Sequence, residues 1–353
     1  MPVIKRVLIL SLFVLTTSCS IPGLENVGLP VAISPGQGSS ASTVLVQVPL
    51  NQRPTATPFQ PLPPTAVYYP TDVPTPVASL TPTPLPTPFP QSPEAAVGLL
   101  PLPPDQLNIL LLGSDARPWN RVFRTDVIIL LTLNPSKGVV SMTSFPRDLW
   151  VTIPGVGANR INTAWQNGGF NKIAATFEHN FGVKPSHYVL INFSSFKTIV
   201  DSLGGLDVNV GQTVSDHRAG RYVTIKQGRQ YMDADLVLWY VRTRKTTSDF
   251  ARNRRQQEII IAIFEKMLSM NAVKRAPEFY QIYKDNVTTS LSLTNLLPLL
   301  PLAASLTDGS QVTHYYVKGK MVTSWVTPGG AQVLLPNRDR IMNVLKKAMV
   351  GQR

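Results

Sequence analysis

The chain is poor in the residues that form disulfides and transition-metal sites. Its 353 residues include one cysteine, Cys19, which excludes internal disulfides and a cysteine-rich zinc site. The four histidines do not have the spacing of metal ligands; they are His179, His187, His217 and His314. These absences favour a chemistry of carboxylates and guanidinium groups.

Motifs for common nucleotide and acyl-transfer enzymes are also absent. The chain has no Walker A motif and no GxSxG nucleophile elbow. The stretch GVGANR, residues 155–160, follows Pro154 and lacks the third glycine of a dinucleotide-binding fingerprint. Dinucleotide binding is therefore not favoured.

Long hydrophobic runs are scarce. The N-terminal apolar run, residues 7–15, is too short to span a bilayer, which needs ~20 residues. With Lys5 and Arg6 before it and Thr17-Ser18-Cys19 after it, it predicts an export signal over residues 1–19. The position of Cys19 resembles a bacterial lipoprotein signal, although Leu15 lies one place further from the cysteine than is usual. We expect lipidation of Cys19 at the outer face of the membrane; simple secretion is the alternative.

Residues 20–104 contain almost no charge and are rich in proline, threonine and serine, as in TPTPLPTPFP. This composition predicts a disordered, polyproline-like tether, followed by a domain over residues 105–350. The net charge of +13 favours anionic partners without choosing among them.

Apolar patterning in the domain predicts alternating strands and helices. NILLL, DVIILLTLN and GVVSMTSF have the pattern of buried strands, and later segments alternate between helix and strand. LTNLLPLLPLAASL, residues 293–306, is interrupted by prolines and predicts a buried helical segment. An α/β or α+β fold follows.

Two Arg-Asp pairs enclose the hairpin RTDVIILLTLNPSKGVVSMTSFPRD. If the turn is centred between Ser136 and Lys137, Asp126 lies opposite Arg147, and opposed residues share a face. The Arg124 and Asp126 pair then meets the Arg147 and Asp148 pair at one end of the sheet. Asp115 and Arg117, on the loop after NILLL, are expected at the same margin.

A further charged stripe is predicted on the helix that follows VRTRKTTS. Ser248 is a suitable N-cap, and Asp249, Arg252 and Gln256 form one stripe that continues into apolar residues, so this stripe should point inward. Solvated charges would occupy the opposite face, as Arg254, Glu258 and Lys266 could. For Arg254 and Arg255, a solvated basic face is an equal alternative.

Aspartates without histidines suit a hard cation such as Mg²⁺, which takes one or two carboxylates together with phosphate oxygens. Clustered arginines suit a diphosphate, because a guanidinium binds two phosphoryl oxygens at once. The combination is typical of phosphoryl transfer.

An ordered set of motifs resembles the LytR-CpsA-Psr family of cell-wall assembly proteins. The set comprises LLLGSDAR, RTDVIILLTLNP, SFPRDLWVTIPG, NRINTAW, LINFSSFKTIVDSLGGLDVNV and LWYVRTR…SDFARNRRQQ. The resemblance implies an extracytoplasmic α/β domain with a mixed central sheet flanked by helices. It also implies Mg²⁺-assisted transfer of a glycopolymer, as its phosphate, from a polyprenyl-pyrophosphate carrier to peptidoglycan.

Residue roles follow from the same resemblance. Asp115 and Asp126 would hold Mg²⁺, and Asp249 would orient an arginine or assist the acceptor hydroxyl. The groups expected to bind the pyrophosphate are Arg117, Arg147, Arg242, Arg244, Arg252 and Gln256, with Arg124, Arg160 and Asp148 as motif neighbours. The sequence departs from the family pattern at Arg160, where lysine is frequent, and at Val127, where threonine is frequent. The polyprenyl tail would need an apolar tunnel, and the sequence does not identify the residues that line it. We expect the hydrophobic core to contain Leu236, Trp239, Ile260 and Phe264.

Three other functions remain open at this point. The domain could hydrolyse the carrier pyrophosphate with water as acceptor, or bind cell-wall material without catalysis. The basic run from Arg242 to Arg255 also permits a nucleic-acid-binding regulator, which predicts outward-facing basic residues. The export signal and the tether argue against this last function.

Overall fold

The computed structural model describes residues 94–116, 123–243, 249–271 and 276–352. The strands are β1 Leu107–Ser114, β2 Thr125–Asn134, β3 Val139–Ser144, β4 Trp150–Ile153, β5 Gly157–Arg160, β6 His187–Ile191, β7 Leu206–Val210, β8 Val214–Arg218, β9 Arg221–Ile225, β10 Gly228–Met232, β11 Thr288–Thr289, β12 Thr313–Tyr316, β13 Val322–Val326 and β14 Gln332–Pro336. The helices are α1 Gly169–Phe181, α2 Phe193–Ser202, α3 Ala234–Arg242, α4 Asp249–Ser269, α5 Ala276–Asn286, α6 Leu293–Leu296, α7 Leu300–Ser305 and α8 Arg338–Val350.

The central sheet has six strands in the order β11-β6-β1-β2-β3-β12. The pairs β1 with β6 and β3 with β12 are parallel, whereas β1 with β2, β2 with β3 and β6 with β11 are antiparallel. Four two-stranded sheets surround it, formed by β4-β5, β7-β10, β8-β9 and β13-β14. The expectation of an α/β domain with a mixed central sheet is confirmed.

Side chains alternate between the two faces of the central sheet and pack against helices on both sides. Leu110 and Ile128 lie in a core cluster that contains Phe177 of α1 and Ile341 of α8. Ile129, on the opposite face, packs in a cluster with Ile260 of α4. A third cluster joins α2, α3 and α4 to β7 and β10. Burial on both faces explains why the strand sequences are nearly continuous apolar runs.

The β2-β3 hairpin has the register that the sequence predicts. Leu130 pairs with Thr143 and Asn134 with Val139, which places the centre between Ser136 and Lys137. The turn is a short 3-10 helix that ends at Gly138 with φ of 64°, a left-handed conformation that glycine adopts without steric cost. The prediction of the register is therefore confirmed.

Residues 293–306 are helical as predicted, but they form two short helices rather than one buried segment. Leu302 and Leu306 are buried, whereas Leu297 is 49% exposed. The prolines limit each helix to one or two turns, so that only one side reaches the core.

The packed part of the chain extends N-terminally beyond Asp105. The amide of Val97 donates to the carbonyl of His179, and that of Leu100 to the carbonyl of Gly182. Leu100 is buried in the same cluster as α1. The rest of the predicted tether, residues 20–93, and the export signal lie outside the described residues.

Among the helices described, none has both the length and the hydropathy that crossing a membrane requires.

Candidate active site

A β-bulge delivers Asp126 to the site. Gly113 pairs with Val127 and Ser114 with Thr125, so Asp126 is the additional residue on β2. Such an insertion bends the strand and redirects a side chain. A Cβ atom on Gly113 would lie 2.7 Å from Cγ2 of Val127, so the close approach of the strands at the bulge requires glycine.

Asp115 is fixed at the end of β1 by the segment that enters β2. Its Oδ1 accepts a hydrogen bond from the amide of Arg124 (2.8 Å), and its own amide donates to the carbonyl of Arg124 (3.2 Å). Within the part of the chain that the structure describes, its Oδ2 makes no hydrogen bond or ion pair. The side chain of Arg124 is exposed and does not line the cavity described below.

A chain of alternating charges runs along the margin of the sheet. Arg147 contacts Asp126 through Nη1 (3.0 Å) and Asp148 through Nε (3.2 Å). Asp148 in turn lies 3.2 Å from Nε of Arg160. The predicted meeting of Asp126 and Arg147 is therefore confirmed, and Asp148 connects Arg147 with Arg160. These side chains are 21–30% exposed, which leaves the row of alternating charges accessible to a ligand.

Asn162 is a site residue to which the sequence assigned no role. It is 2% exposed, and its Nδ2 donates weakly to Oδ1 of Asp126 at 3.4 Å. Its own Oδ1 is buried and has no hydrogen-bond partner in the described residues. The only signal for Asn162 in the sequence is its position in the NRINTAW motif.

One cavity of about 580 Å³ joins this charged margin to an apolar interior. Its polar end contains Asp115, Asp126, Arg242, Arg252 and Gln256. Its apolar lining comes from β1, β6 and four helices and includes Phe193, Phe196, Ile199, Val241, Ile259, Ile260, Ile263, Met267, Phe279, Ile282 and Tyr283. Arg252 and Met267 are 15 residues apart on α4, so the cavity follows this helix for about 22 Å.

The predicted inward stripe of α4 is present. Arg252 and Gln256 line the polar end of the cavity and are 4% and 7% exposed, respectively, and Ile260 and Ile263 continue the stripe along the apolar part. Ile260 was expected to be plain core; it packs in a core cluster and also lines the cavity. Leu236, Trp239 and Phe264 pack around the core clusters and are absent from the lining.

The prediction of a solvated opposite face was wrong for Arg254 and Glu258. Arg254 pairs with Glu258 at 3.2 Å and donates to the side chain of Gln212 at 3.2 Å. Glu258 also accepts from the hydroxyl of Tyr240 (2.5 Å) and from the amide of Gly211 (3.2 Å). This face is covered by α3 and by the connection between β7 and β8, so its charges are paired instead of solvated.

Arg255 is fully buried, which decides against a solvated basic face at this position. Its Nη2 donates to the carbonyl of Thr243 (2.6 Å), and its guanidinium lies 5.6 Å from the ring centre of Tyr240. Burial lowers the pKa of Arg255 and raises that of Tyr240. The hydroxyl of Thr243 donates to the buried carboxylate of Asp216. Arg255 therefore anchors the backbone beside Arg242.

Arg242 approaches the cavity from the end of α3. It is exposed, and its guanidinium lies 4.4 Å from the ring centre of Phe193, which also lines the cavity. This stacking holds the cation at the polar end while its donors stay available. The sequence predicts a helix that begins at Phe196 and a strand that ends at Phe193, whereas α2 already begins at Phe193. Its lining role was not predicted; the spacing of Phe193, Phe196 and Ile199 could have indicated it.

Several predicted site residues lie outside the described residues: Arg117, Arg244, Ser248 and Cys19. α4 begins at Asp249, whose side chain also lies outside the description.

The donor set at the polar end fits a magnesium ion better than a softer metal. The described residues contain no cluster of three or more histidine, cysteine, aspartate or glutamate side chains that could hold a metal ion. Asp115 and Asp126 line the same cavity and supply two carboxylates, and Mg²⁺ commonly takes one or two together with phosphate oxygens and water.

Comparison with known proteins gives the family. The model of the LytR_cpsA_psr family matches residues 92–349. The chain belongs to the LytR-CpsA-Psr family. The match covers the central sheet, the cavity and α8.

Two relatives illustrate the range of similarity. The polyisoprenyl-teichoic acid–peptidoglycan teichoic acid transferase TagT of Bacillus subtilis is 30% identical over 254 residues, which are 69% of this chain and 76% of TagT. TagU of Oceanobacillus iheyensis, named for the same activity, is 35% identical over 204 residues, 56% of this chain and 62% of TagU. Part of each relative therefore lies outside the match.

Solved structures of this family have the same fold. The crystal structure of B. subtilis TagV matches with a TM-score of 0.59 and 25% identity over 69% of this chain and 97% of TagV. A TagT structure described as having bound octaprenyl pyrophosphate lipid matches with a TM-score of 0.52 and 26% identity over 70% of this chain and 91% of that one.

Proposed function

We propose that this protein transfers a glycopolymer, as its phosphate, from a polyprenyl-pyrophosphate carrier to peptidoglycan. The observation that carries the proposal is a continuous cavity that joins two carboxylates and two arginines to a long apolar interior. Such a cavity suits a ligand with an anionic head and a hydrocarbon tail. The names of the relatives, and the lipid in the TagT structure, support the same assignment.

The prenyl tail would lie along α4, between α2 and α5. Burying each CH₂ group contributes about 0.8 kcal/mol, so the tail supplies much of the binding energy. This energy does not itself promote the reaction, but it places the pyrophosphate at the charged margin.

The pyrophosphate would lie between Arg242 and Arg252, with Gln256 beside it. Arg117 and Arg244 are proposed to complete the set on grounds of motif alone. Arg147 and Arg160 belong to the adjacent charge chain, where they balance Asp126 and Asp148 and can meet negative charge on the transferred phosphoryl group.

Magnesium would be held by Asp115 and Asp126, and it would neutralise charge on the phosphoryl oxygens. Arg147 and Asn162 fix the orientation of Asp126. In the transfer, an acceptor hydroxyl of peptidoglycan forms a new P–O bond to the phosphorus atom that bears the glycopolymer. The P–O bond to the bridging oxygen breaks, and polyprenyl phosphate leaves. Asp249 is proposed either to orient an arginine or to take up the proton that the acceptor hydroxyl loses.

We propose that the reaction takes place at the outer face of the cytoplasmic membrane or in the cell wall. We propose attachment through a lipid on Cys19, with the Pro/Thr-rich segment as a spacer.

The tail assignment can be tested with pyrophosphates of increasing prenyl length. We expect affinity to rise steeply from geranyl pyrophosphate to longer chains and to level off once the cavity is filled. Substitution of Ile260 by Trp, which narrows the cavity, should weaken binding of octaprenyl pyrophosphate far more than binding of geranyl pyrophosphate. Affinity that is independent of chain length would contradict the assignment.

A further inference from the structure

A second, smaller cavity is lined by cations from two elements. Its volume is about 300 Å³, and its lining includes Lys318 and Lys320 from the segment after β12 and Arg340 from α8. All three side chains are exposed, and none makes an ion pair among the residues described. Three like charges that converge on one concavity repel one another, so the site favours a ligand that neutralises them.

The segment that carries Lys318 and Lys320 is tied to its neighbours at both ends. The amide of Val317 donates to the carbonyl of Ser144 (2.9 Å), which ties the start of the segment to β3. The amide of Asn337 donates to the carbonyl of Met321 (2.8 Å), which ties its end to the start of α8. Lys318 lies 5.3 Å from the ring centre of Tyr316. These contacts fix the backbone positions from which the three cations extend.

The β13-β14 hairpin connects this cavity to the active-site margin. Arg160 donates to the carbonyl of Gln332 at the first residue of β14 (2.9 Å), and the amide of Leu334 donates to the carbonyl of Asp148 (3.0 Å). Pro336, the last residue of β14, precedes the cap of α8, so β14 covers about 13 Å of the path between the two sites.

Aromatic side chains lie on the same route. Trp150, which pairs with Arg160 across β4-β5, is in edge contact with Trp325 of β13, with ring centres 6.2 Å apart. Both rings are half-buried. Partly exposed indole rings offer an apolar surface with a polar edge, which suits the faces of sugars.

We propose that the cavity of Lys318, Lys320 and Arg340 binds a phosphate group of the glycopolymer at a distance from the reacting pyrophosphate. The ligand class is a polymer that carries phosphate at regular intervals, extended from Arg160 over the β13-β14 hairpin. This subsite rests on the proposed function, and it would select polyanionic over neutral polymers and orient the chain away from the acceptor.

The test is equilibrium binding of the full chain to a synthetic poly(glycerol phosphate), without any lipid carrier. Replacement of Lys318, Lys320 and Arg340 by Gln should weaken binding about tenfold and reduce its salt dependence. The reason is that three exposed ion pairs with phosphates of the polymer are lost. The charge-preserving variant Lys318→Arg, Lys320→Arg, Arg340→Lys should bind as the parent protein does. Loss of binding in this variant too would contradict recognition by charge.

The matched control removes three exposed cations elsewhere, with Arg221→Gln, Lys226→Gln and Lys284→Gln. Equal losses in both triple variants, or no loss in either, would overturn the proposal. The proposal would also be overturned if the cavity bound vesicles containing phosphatidylglycerol but did not bind the polymer, because the cavity would then face the membrane. This binding test does not depend on turnover. If a separate transfer assay failed while polymer binding stayed intact and dependent on the cavity, the failure would count only against the proposed function.

Discussion

Arg252 and Arg254 offer a matched test of the site, because they lie two residues apart on α4 and make different contacts. Arg252 lines the polar end of the cavity and is 4% exposed. Arg254 lies on another side of the helix, where it pairs with Glu258 and Gln212. Replacing each with Met keeps most of the side-chain volume and removes the charge.

The expected magnitudes differ clearly. A hydrogen bond between charged groups contributes about 1.5–3 kcal/mol, so Arg252→Met should weaken binding of a polyprenyl pyrophosphate roughly 10- to 150-fold. Arg254→Met removes an i,i+4 ion pair of about 0.3–0.5 kcal/mol and no cavity contact, so ligand affinity should change less than about threefold.

Isothermal titration with octaprenyl pyrophosphate would measure both affinities, and thermal unfolding would show whether each variant is folded. Equal losses of affinity in two folded variants would refute the inward orientation of the stripe.

Three further substitutions test the parts of the site separately. Asp115→Ala should abolish Mg²⁺-dependent turnover in a folded protein, as circular dichroism and a release assay would show; an unchanged rate would contradict the metal assignment. Gly113→Ala should force Val127 away from the bulge and lower the unfolding temperature; an unchanged melting curve would show that β2 can move without cost. Arg255→Leu should lower the free energy of unfolding by roughly 1–3 kcal/mol in urea titrations, because the buried carbonyl of Thr243 loses its charged donor; an unchanged free energy of unfolding would show that the network is not important for stability.

The strands and the meeting of Asp126 with Arg147 could be predicted because they depend on local signals. The Asn-Pro-Ser-Lys-Gly turn sets the hairpin register, and the register sets which residues are opposed. The bulge at Asp126 could not be predicted, since it depends on how β1 and β2 pair at Gly113.

The apolar lining of the active-site cavity depends on tertiary packing, so the sequence predicted little of it. Periodicity indicates that Ile260 faces inward, but it does not distinguish a filled core from a cavity. The opposite face of α4 shows the converse error, in which a position predicted to be solvated is covered. Glutamate is typical of solvated positions, but Glu258 accepts hydrogen bonds from Tyr240 and Gly211.

The β13-β14 hairpin extends the charged margin beyond the motifs that carry the family resemblance. Its contacts with Asp148 and Arg160 connect the site to the basic cavity, and the residues involved are far apart in the chain. No local pattern places Lys318 beside Arg340, so only the fold brings these cations together.

Mass spectrometry of the reaction products would show directly whether the protein transfers a saccharide phosphate to peptidoglycan. The purified protein would be mixed with a polyprenyl-pyrophosphate-linked saccharide, Mg²⁺ and peptidoglycan fragments. We expect a saccharide joined to the fragment by a phosphodiester, with release of polyprenyl phosphate, and loss of both products when a chelator is added. Free saccharide phosphate with unmodified fragments would contradict transfer to peptidoglycan and indicate hydrolysis instead.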